Sequence, residues 1–430
     1  MRLLGWMFRL FAAAAAGAAV RIARRLLRKP PRIWHGPMPL HSIRYMVAAD
    51  RLAGYPSRSV VVTEQQVKYA LVTRSDFDVV IRSEDVPWYD RHWIAMIDLL
   101  LRGDIWVTYF DGLFFNVANR RRNDVAFRLL RLVGIRIIVT AHGSDIVHWS
   151  SHRTRYDWIA RMQKDYPTWS FDAQTPVSLQ RIEHFTRHSD LVLPGDPIMG
   201  HLLPRSDVMF KVYPIDTEEL QPVPPVARER VRIVHAPNHR NVKGTDFLLA
   251  AIEAVQARGF DCELVLIERM PRLEALQRFA EADIIADQFC MGGWAQFALE
   301  GMALGKPVLA YLDEDFLNDP VFNVPVVNAT AENLAPVLAV LIEIPELRAR
   351  LGAASRASVE QYHSIPALAE VWDRLYRHVW RGEALDLSAT AHFSPQRKPR
   401  SLTEDPRDEA FWPIRVDDLM PRIDAVLQRL

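Results

Sequence analysis

Residues 283–311 read DIIADQFCMGGWAQFALEGMALGKPVLAY. DIIAD is a short apolar run of the kind that forms a strand covered on both faces. Gly292-Gly293 interrupts it, Trp294–Leu304 resumes with helical spacing, and Gly305-Lys306-Pro307 stops the helix. PVLAY then reads as another buried strand. Strand, glycine turn, helix and strand make one βαβ unit, which joins parallel strands through a right-handed crossover. Glycines at the strand-to-helix junction let backbone approach a ligand and adopt positive φ. Gln296 and Glu300 stand one turn apart and project from one helix face. A carboxylate there can accept hydrogen bonds from paired sugar hydroxyls; it can equally serve only to cap or pair.

The same alternation continues in both directions. VRIVHAPNH, a helix from Thr245, CELVLIE and a helix over Leu273–Ala282 precede this unit. PVVNAT and a long helical stretch from AENLAPVLAVLIEI to VWDRLYRHVW follow it. Further upstream, RIWHGP, SVVV, FDVVI, IWVTYF, IRIIVTAH and DLVLPG read as strands. Between them, HSIRYMVAADRLAGY, RHWIAMIDLLLRG and FFNVANRRRNDVAFRLLRLVG read as helices. KVYPIDTEELQPVPPVARERVR, with four prolines between Pro214 and Pro225, divides the two sets as a linker.

At 430 residues the chain is too long for one core. The expected organisation is an N-terminal helix over 1–29, a Rossmann-like domain over 30–217, a second over 218–381, and a polar tail over 382–430. Two doubly wound α/β domains would face each other across a cleft at the carboxyl ends of their parallel strands, where such folds bind ligands. The tail, with SPQRKPRSLTEDPRDE and the short amphipathic VDDLMPRIDAVLQRL, is expected to be exposed or disordered.

With 49% hydrophobic and 24% charged residues the chain is globular rather than disordered. Cys262 and Cys290 are its two cysteines, too few for a disulfide framework or a cysteine-rich zinc module, and they suit a reducing compartment. The 14 histidines are scattered, which argues against structural zinc. The net charge of +1 conceals an asymmetry. Residues 1–35 hold eight Lys/Arg and no acid, leaving 45 basic against 52 acidic residues in the remainder. A body this acidic argues against nucleic acid as the main partner.

The basic N-terminus, MRLLGWMFRLFAAAAAGAAVRIARRLLRK, has an apolar run from Leu10 to Val20, short for a membrane span. On a helical wheel Leu4, Phe8, Phe11, Ile22 and Leu26 share one side, with Arg2 and Arg9 opposite. A cleaved signal peptide, a signal anchor leaving Arg21, Arg24, Arg25, Arg28 and Lys29 on the cytoplasmic side, and an ordinary packed amphipathic helix are the alternatives. The charge pattern favours an interfacial helix meeting anionic lipid from the cytoplasmic face.

VRIVHAPNHRNVKGTDF places Arg240 and Lys243 in the loop after a strand, immediately before a helix. Free backbone N–H groups, a positive dipole end and two cations suit a diphosphate; solvated loop charges are the plain alternative. In order and spacing, this cation loop, the Gly-Gly turn, Glu300 and Gly305-Lys306-Pro307 resemble the nucleotide-binding half of the GT-B retaining glycosyltransferases, specifically family 4. LEGMALGKP (299–307) matches the family's Leu-Glu-(Ala/Gly)-Met-Ala-x-Gly-Lys-Pro context. The resemblance implies that Arg240 and Lys243 bind the donor diphosphate and that Glu300 contacts the ribose. Gly292 stands where the family has its first glutamate, which contacts the transferred sugar, and Gln296 is the first candidate to take over that contact.

TAHGSDI (140–146) is similar to the family's His-Gly segment, so His142 is implied to line the donor–acceptor cleft. WHGPMPLH (34–41) occupies the place of the glycine-containing first loop, and VYPID (212–216) resembles the entry to the interdomain linker. Asp76-Phe-Asp78 and Asp313-Glu-Asp315 fit an Asp-x-Asp metal pattern, but neither sits in the single-sheet layout that pattern requires, so no metal is expected. Arg120, Arg121, Arg122, Arg128 and Arg131 form a basic stripe on the helix beginning near Leu113. It reads as a solvated face, or with the N-terminal helix as a membrane-docking surface.

The expectation from the sequence is a metal-independent hexosyltransferase at the cytoplasmic face of a membrane. It would need no cofactor beyond a nucleotide-diphosphate sugar co-substrate, would retain configuration, and would act on a polysaccharide, such as one of the cell envelope, or a lipid-linked acceptor. A non-catalytic nucleotide-binding subunit of the same fold, and an inverting enzyme with His142 as base, are the alternatives.

Overall fold

The computed structural model describes residues 2–63, 76–82, 85–115, 119–148, 155–167, 171–224 and 228–430. Residues 116–118 of the expected first-half arginine helix and 225–227 of the expected linker lie outside the described residues. The chain forms two compact units: 1–149 with 171–214 and 365–390, and 150–170 with 215–364 and 391–430.

In chain order the elements begin α1 (Arg2–Leu26), β1 (Ile33–His35), α2 (Ser42–Leu52), β2 (Ser57–Thr63), β3 (Val79–Arg82), α3 (Trp88–Arg102), β4 (Ile105–Tyr109), α4 (Arg120–Leu132), β5 (Arg136–Thr140), α5 (Trp158–Asp165), α6 (Phe171–His188), β6 (Leu191–Leu193) and α7 (Pro197–His201). They continue as β7 (Val231–His235), α8 (Arg240–Lys243), α9 (Thr245–Ala257), β8 (Cys262–Leu266), α10 (Arg272–Ala280), β9 (Ile284–Ala286), α11 (Gln296–Ala303), β10 (Val308–Ala310), α12 (Glu314–Asn318), β11 (Val327–Asn328), α13 (Leu334–Glu343), α14 (Pro345–Tyr362), α15 (Ile365–Arg381) and α16 (Met420–Leu427). Each strand read from the sequence is present; the arginine helix starts at Arg120.

The first unit has a six-stranded sheet in the order β3-β2-β1-β4-β5-β6, parallel throughout. β4 is buried along its whole length, which is why IWVTY reads as a continuous rather than alternating run. The second unit has a parallel five-stranded sheet, order β11-β10-β9-β7-β8. Both orders are doubly wound. The direction of winding reverses between β1 and β4 in one sheet and between β7 and β9 in the other, and ligands bind beyond the carboxyl ends of strands at such reversals.

Three boundaries differ from the sequence reading. Residues 150–170, expected in the first domain, belong to the second unit. α15 belongs to the first unit, not the second: Leu368, Val371, Trp372, Leu375 and Tyr376 are buried. The Tyr376 hydroxyl donates to Asp50 at 2.8 Å, and Tyr55 donates to Asp373 at 2.7 Å. The tail from Ala391 onward is not wholly exposed either: residues 401–410 mostly face solvent, but the segment after them is packed. Phe411, Trp412, Val416, Leu419, Ile423, Val426 and Leu427 enter the same core as Leu248, Val337 and Leu341. The tail's polar turns are anchored individually: Arg400 donates to the carbonyls of Val326 and Phe411, and Asn333 donates to Glu404 O at 2.9 Å. Its apolar residues are few and widely spaced, so composition conceals a segment that completes a core.

Candidate active site

The candidate residues of the second unit lie at the reversal between β7 and β9. The loop after β7 leads into α8, which bears Arg240 and Lys243; the loop after β9 runs through Gly292 and Gly293 to α11. Asp287, buried just past β9, accepts Lys243 Nζ at 2.9 Å on Oδ1 and the Ala295 backbone N–H at 2.7 Å on Oδ2. Gln288 accepts from Lys243 Nζ at 3.0 Å and donates to Gly293 O at 2.6 Å. Lys243 thus ties the two loops together and fixes the start of α11.

Arg240 is exposed and ion-paired with Glu268, Nε to Oε1 at 2.7 Å. The free N–H groups expected at this helix start are not free. Asp165, at the end of α5, accepts from the N–H groups of Asn241 (3.1 Å) and Val242 (2.9 Å), and from Asn241 Nδ2 at 2.8 Å. Around it, Tyr166 hydrogen-bonds His239, and Arg161 bonds Asp246 at 3.0 Å while lying over the Phe247 ring. α5 therefore clamps the cation loop. This role was invisible in the sequence because Asp165 lies 76 residues before Asn241.

Gln296 and Glu300 both lie on α11, as their spacing predicts. Glu300 is buried against Arg272 of α10. Burial pushes its carboxyl above the usual range, and the Arg272 guanidinium pulls it back. Both amide atoms of Gln296 are shut off from solvent and have no hydrogen-bond partner among the described residues. An unmet buried amide costs free energy that a ligand could recover.

Gly292 has φ +73°, and a Cβ there would lie 2.7 Å from Asp313 Cβ. Its carbonyl accepts the Asp313 N–H at 2.9 Å. A Cβ on Gly293 would lie 2.5 Å from the Phe316 ring. Neither position has room for a side chain, so the position that resembles the family's sugar-binding glutamate is built for glycine, and a carboxylate from Asp313 stands beside it. Asp313 otherwise caps α12, and Asp78 binds Ser59 N at 2.9 Å and Arg51 at 2.7 Å. Both Asp-x-Asp lookalikes thus include a carboxylate with a local structural role.

His142 lies beyond β5 in the first unit. Its Nε2 is 3.0 Å from Asp111 Oδ2 and 3.9 Å from Asp145 Oδ2, and its ring meets Tyr109 edge-on. Asp145 is fixed by the N–H groups of His142 (3.1 Å), Gly143 (2.9 Å) and Phe110 (3.2 Å). Burial alone would lower the imidazole pKa, but Asp145 and Asp111 outweigh it and raise the value to about 9. One ligand atom from each of Asp111, His142 and Asp145 lies within 4.8 Å of the others. Asp145 is inside the quoted TAHGSDI; nothing in sequence pointed to Asp111.

No protein-family model and no curated protein matches the chain. Among solved structures it is similar to a sucrose-phosphate synthase from Thermosynechococcus elongatus, with a TM-score of 0.54 and 13% identity over 83% of this chain and 100% of that one. Anabaena HepE in complex with UDP gives a TM-score of 0.49 at 12% identity, covering 79% of this chain and 97% of that one. S. aureus TarM gives 0.42 at 14% identity, covering 63% and 54%. With its two doubly wound parallel sheets, the chain has the GT-B fold.

Proposed function

We propose that this chain is a glycosyltransferase that moves a hexose from a nucleotide-diphosphate donor to a polysaccharide or lipid-linked acceptor, with retention and without a metal, at the cytoplasmic face of a membrane. The observation that carries the reading is the grouping at the β7/β9 reversal. Lys243 is bonded through Asp287 to the backbone of Ala295, next to the unpartnered amide of Gln296. Arg240 would exchange Glu268 for the diphosphate, and Lys243 would neutralise charge developing on the leaving group. Gly292 and Gly293 would let backbone approach the donor, Glu300 would fix the ribose, and Gln296, with Asp313 nearby, would hold the sugar.

His142 would hold the sugar or the acceptor. With a pKa near 9 it is an imidazolium at neutral pH, which supports a donor or electrostatic role over general base. The acceptor's proton then passes to the departing phosphate as the new glycosidic bond forms and the sugar–phosphate bond breaks.

A second reading, a non-catalytic nucleotide-binding subunit, draws on a different observation: Arg240, Lys243 and Glu300 all hold protein partners already. One experiment separates the two. Nucleoside diphosphate release is measured for several activated sugars with membrane extract as acceptor, alongside calorimetric UDP and GDP binding. Turnover with any donor, unaffected by EDTA, is expected. Binding without turnover for every donor would leave only the second reading.

A further inference from the structure

α1 is apolar on two faces. Leu10, Ala13, Ala14 and Gly17 are buried, and α1 packs on α3 so closely that a Cβ on Gly17 would lie 1.9 Å from Leu100 O. The helix is also pinned near both ends. Trp6 Nε1 donates to Asp90 at 2.6 Å; buried Arg21 donates to Val133 O at 2.8 Å and to Leu100 O and Gly103 O at 2.9 Å.

The opposite face is exposed. Phe8, Phe11, Ile22 and Leu26 are 76%, 58%, 61% and 79% exposed. With 3.6 residues per turn they fall within about 60° of one another and span about 27 Å of helix. The Arg21–Val133 bond brings the end of α4 beside the C-terminal half of α1, and α4 adds Val125 and Leu132, 65% and 84% exposed. Exposed Arg9, Arg25, Arg28 and Lys29 stand on or just beyond α1, and α4 carries exposed Arg121, Arg122 and Arg128. No acidic residue precedes Asp50 in the chain. Apolar rings and leucines flanked by cations match the boundary between acyl chains and anionic headgroups.

We propose that the outer faces of α1 and α4 together dock the first unit onto an anionic bilayer, with α1 lying in the membrane plane while its inner face remains part of the fold. The 22 residues of Gly5–Leu26 are long and apolar enough to cross a membrane. Crossing would, however, strip α1 from α3 and carry the Arg21 guanidinium away from three carbonyl acceptors into hydrocarbon. Deleting residues 1–29 would uncover α3 and is therefore not a clean test.

The test uses the full chain with vesicles of phosphatidylglycerol and phosphatidylcholine in equal parts, against phosphatidylcholine alone. Sedimentation with the anionic vesicles is expected, weakened by salt. F8S/F11S should lower partitioning about a hundredfold, and R28Q/K29Q should lower it for anionic vesicles, with circular dichroism and UDP affinity unchanged in both. Fluorophores on cysteines introduced at Phe8 and Leu26 should report the same shallow depth. Failure of the wild type to bind, equal binding by the variants, or labels at different depths would overturn the proposal. So would a concentration-dependent dimer that F8S/F11S abolishes, because a second copy would then cover the face. None of these outcomes depends on the catalytic reading.

Discussion

Gly292 marks where the sequence pattern and the local geometry part company. Its positive φ costs any other L-residue roughly 1–2 kcal/mol, and Asp313 already stands where a side chain would go. Gly292→Glu is expected to lower the melting temperature and give no gain in turnover, a result that thermal denaturation and the donor assay read together. The two cations also differ. Arg240 is exposed, so Arg240→Ala should cost about tenfold in nucleoside-diphosphate affinity with the melting temperature unchanged. Lys243→Ala instead leaves buried Asp287 uncompensated, at a cost of about 3–5 kcal/mol. Denaturant unfolding should show that loss alongside weaker binding. His142 has a folded pKa raised from 6.5 to about 9. Its pairing with Asp145 and Asp111 contributes stability that is complete below pH 6.5 and lost as pH rises through about 9. Melting curves across that window should show the decline, and His142→Gln should flatten it.

At the level of elements, α5 is the piece with no counterpart in the sequence reading. It follows the first sheet's β5 in the chain yet belongs to the second unit, where Asp165 occupies the backbone donors at the start of α8. A carboxylate on two N–H groups acts as a cap, and losing a cap costs about 1 kcal/mol. Asp165→Ala is therefore expected to weaken nucleoside-diphosphate binding about fivefold by freeing α8, which carries Arg240 and Lys243, while Asp165→Asn, which keeps an acceptor, recovers part of it. Calorimetry on the three proteins decides this, and equal affinities would remove α5 from the donor site. The elements that sequence did reveal have in common a strong local signal. β4, β5, β7 and β9 are short runs dominated by apolar residues, and α11 is bounded by Gly292-Gly293 before it and Gly305 after it.

For the molecule as a whole, the tail carries the clearest consequence. Phe411 and Trp412 are buried in the second unit's core, so truncation after Thr390 should unfold or strongly destabilise that unit, and Trp412→Ala should cost about 3–5 kcal/mol in denaturant unfolding. The two doubly wound parallel sheets were legible from the order of strand, turn and helix, because burial on both sheet faces and tight crossovers write themselves into contiguous residues; GT-B was what the resemblance of residues 240–307 implied. So were the places of Arg240, Lys243, Gln296 and Glu300, which follow from the loop after β7 and the period of α11. The partners of those residues, Glu268, Asp287, Arg272 and Asp165, were not legible, nor was Asp111 beside His142, nor the units to which α5, α15 and the tail belong. Each joins residues distant in the chain through a single ion pair, hydrogen bond or buried ring. Local periodicity determines which elements form and what chemistry they carry; which charges meet, and which segments complete which core, is decided only when those elements pack.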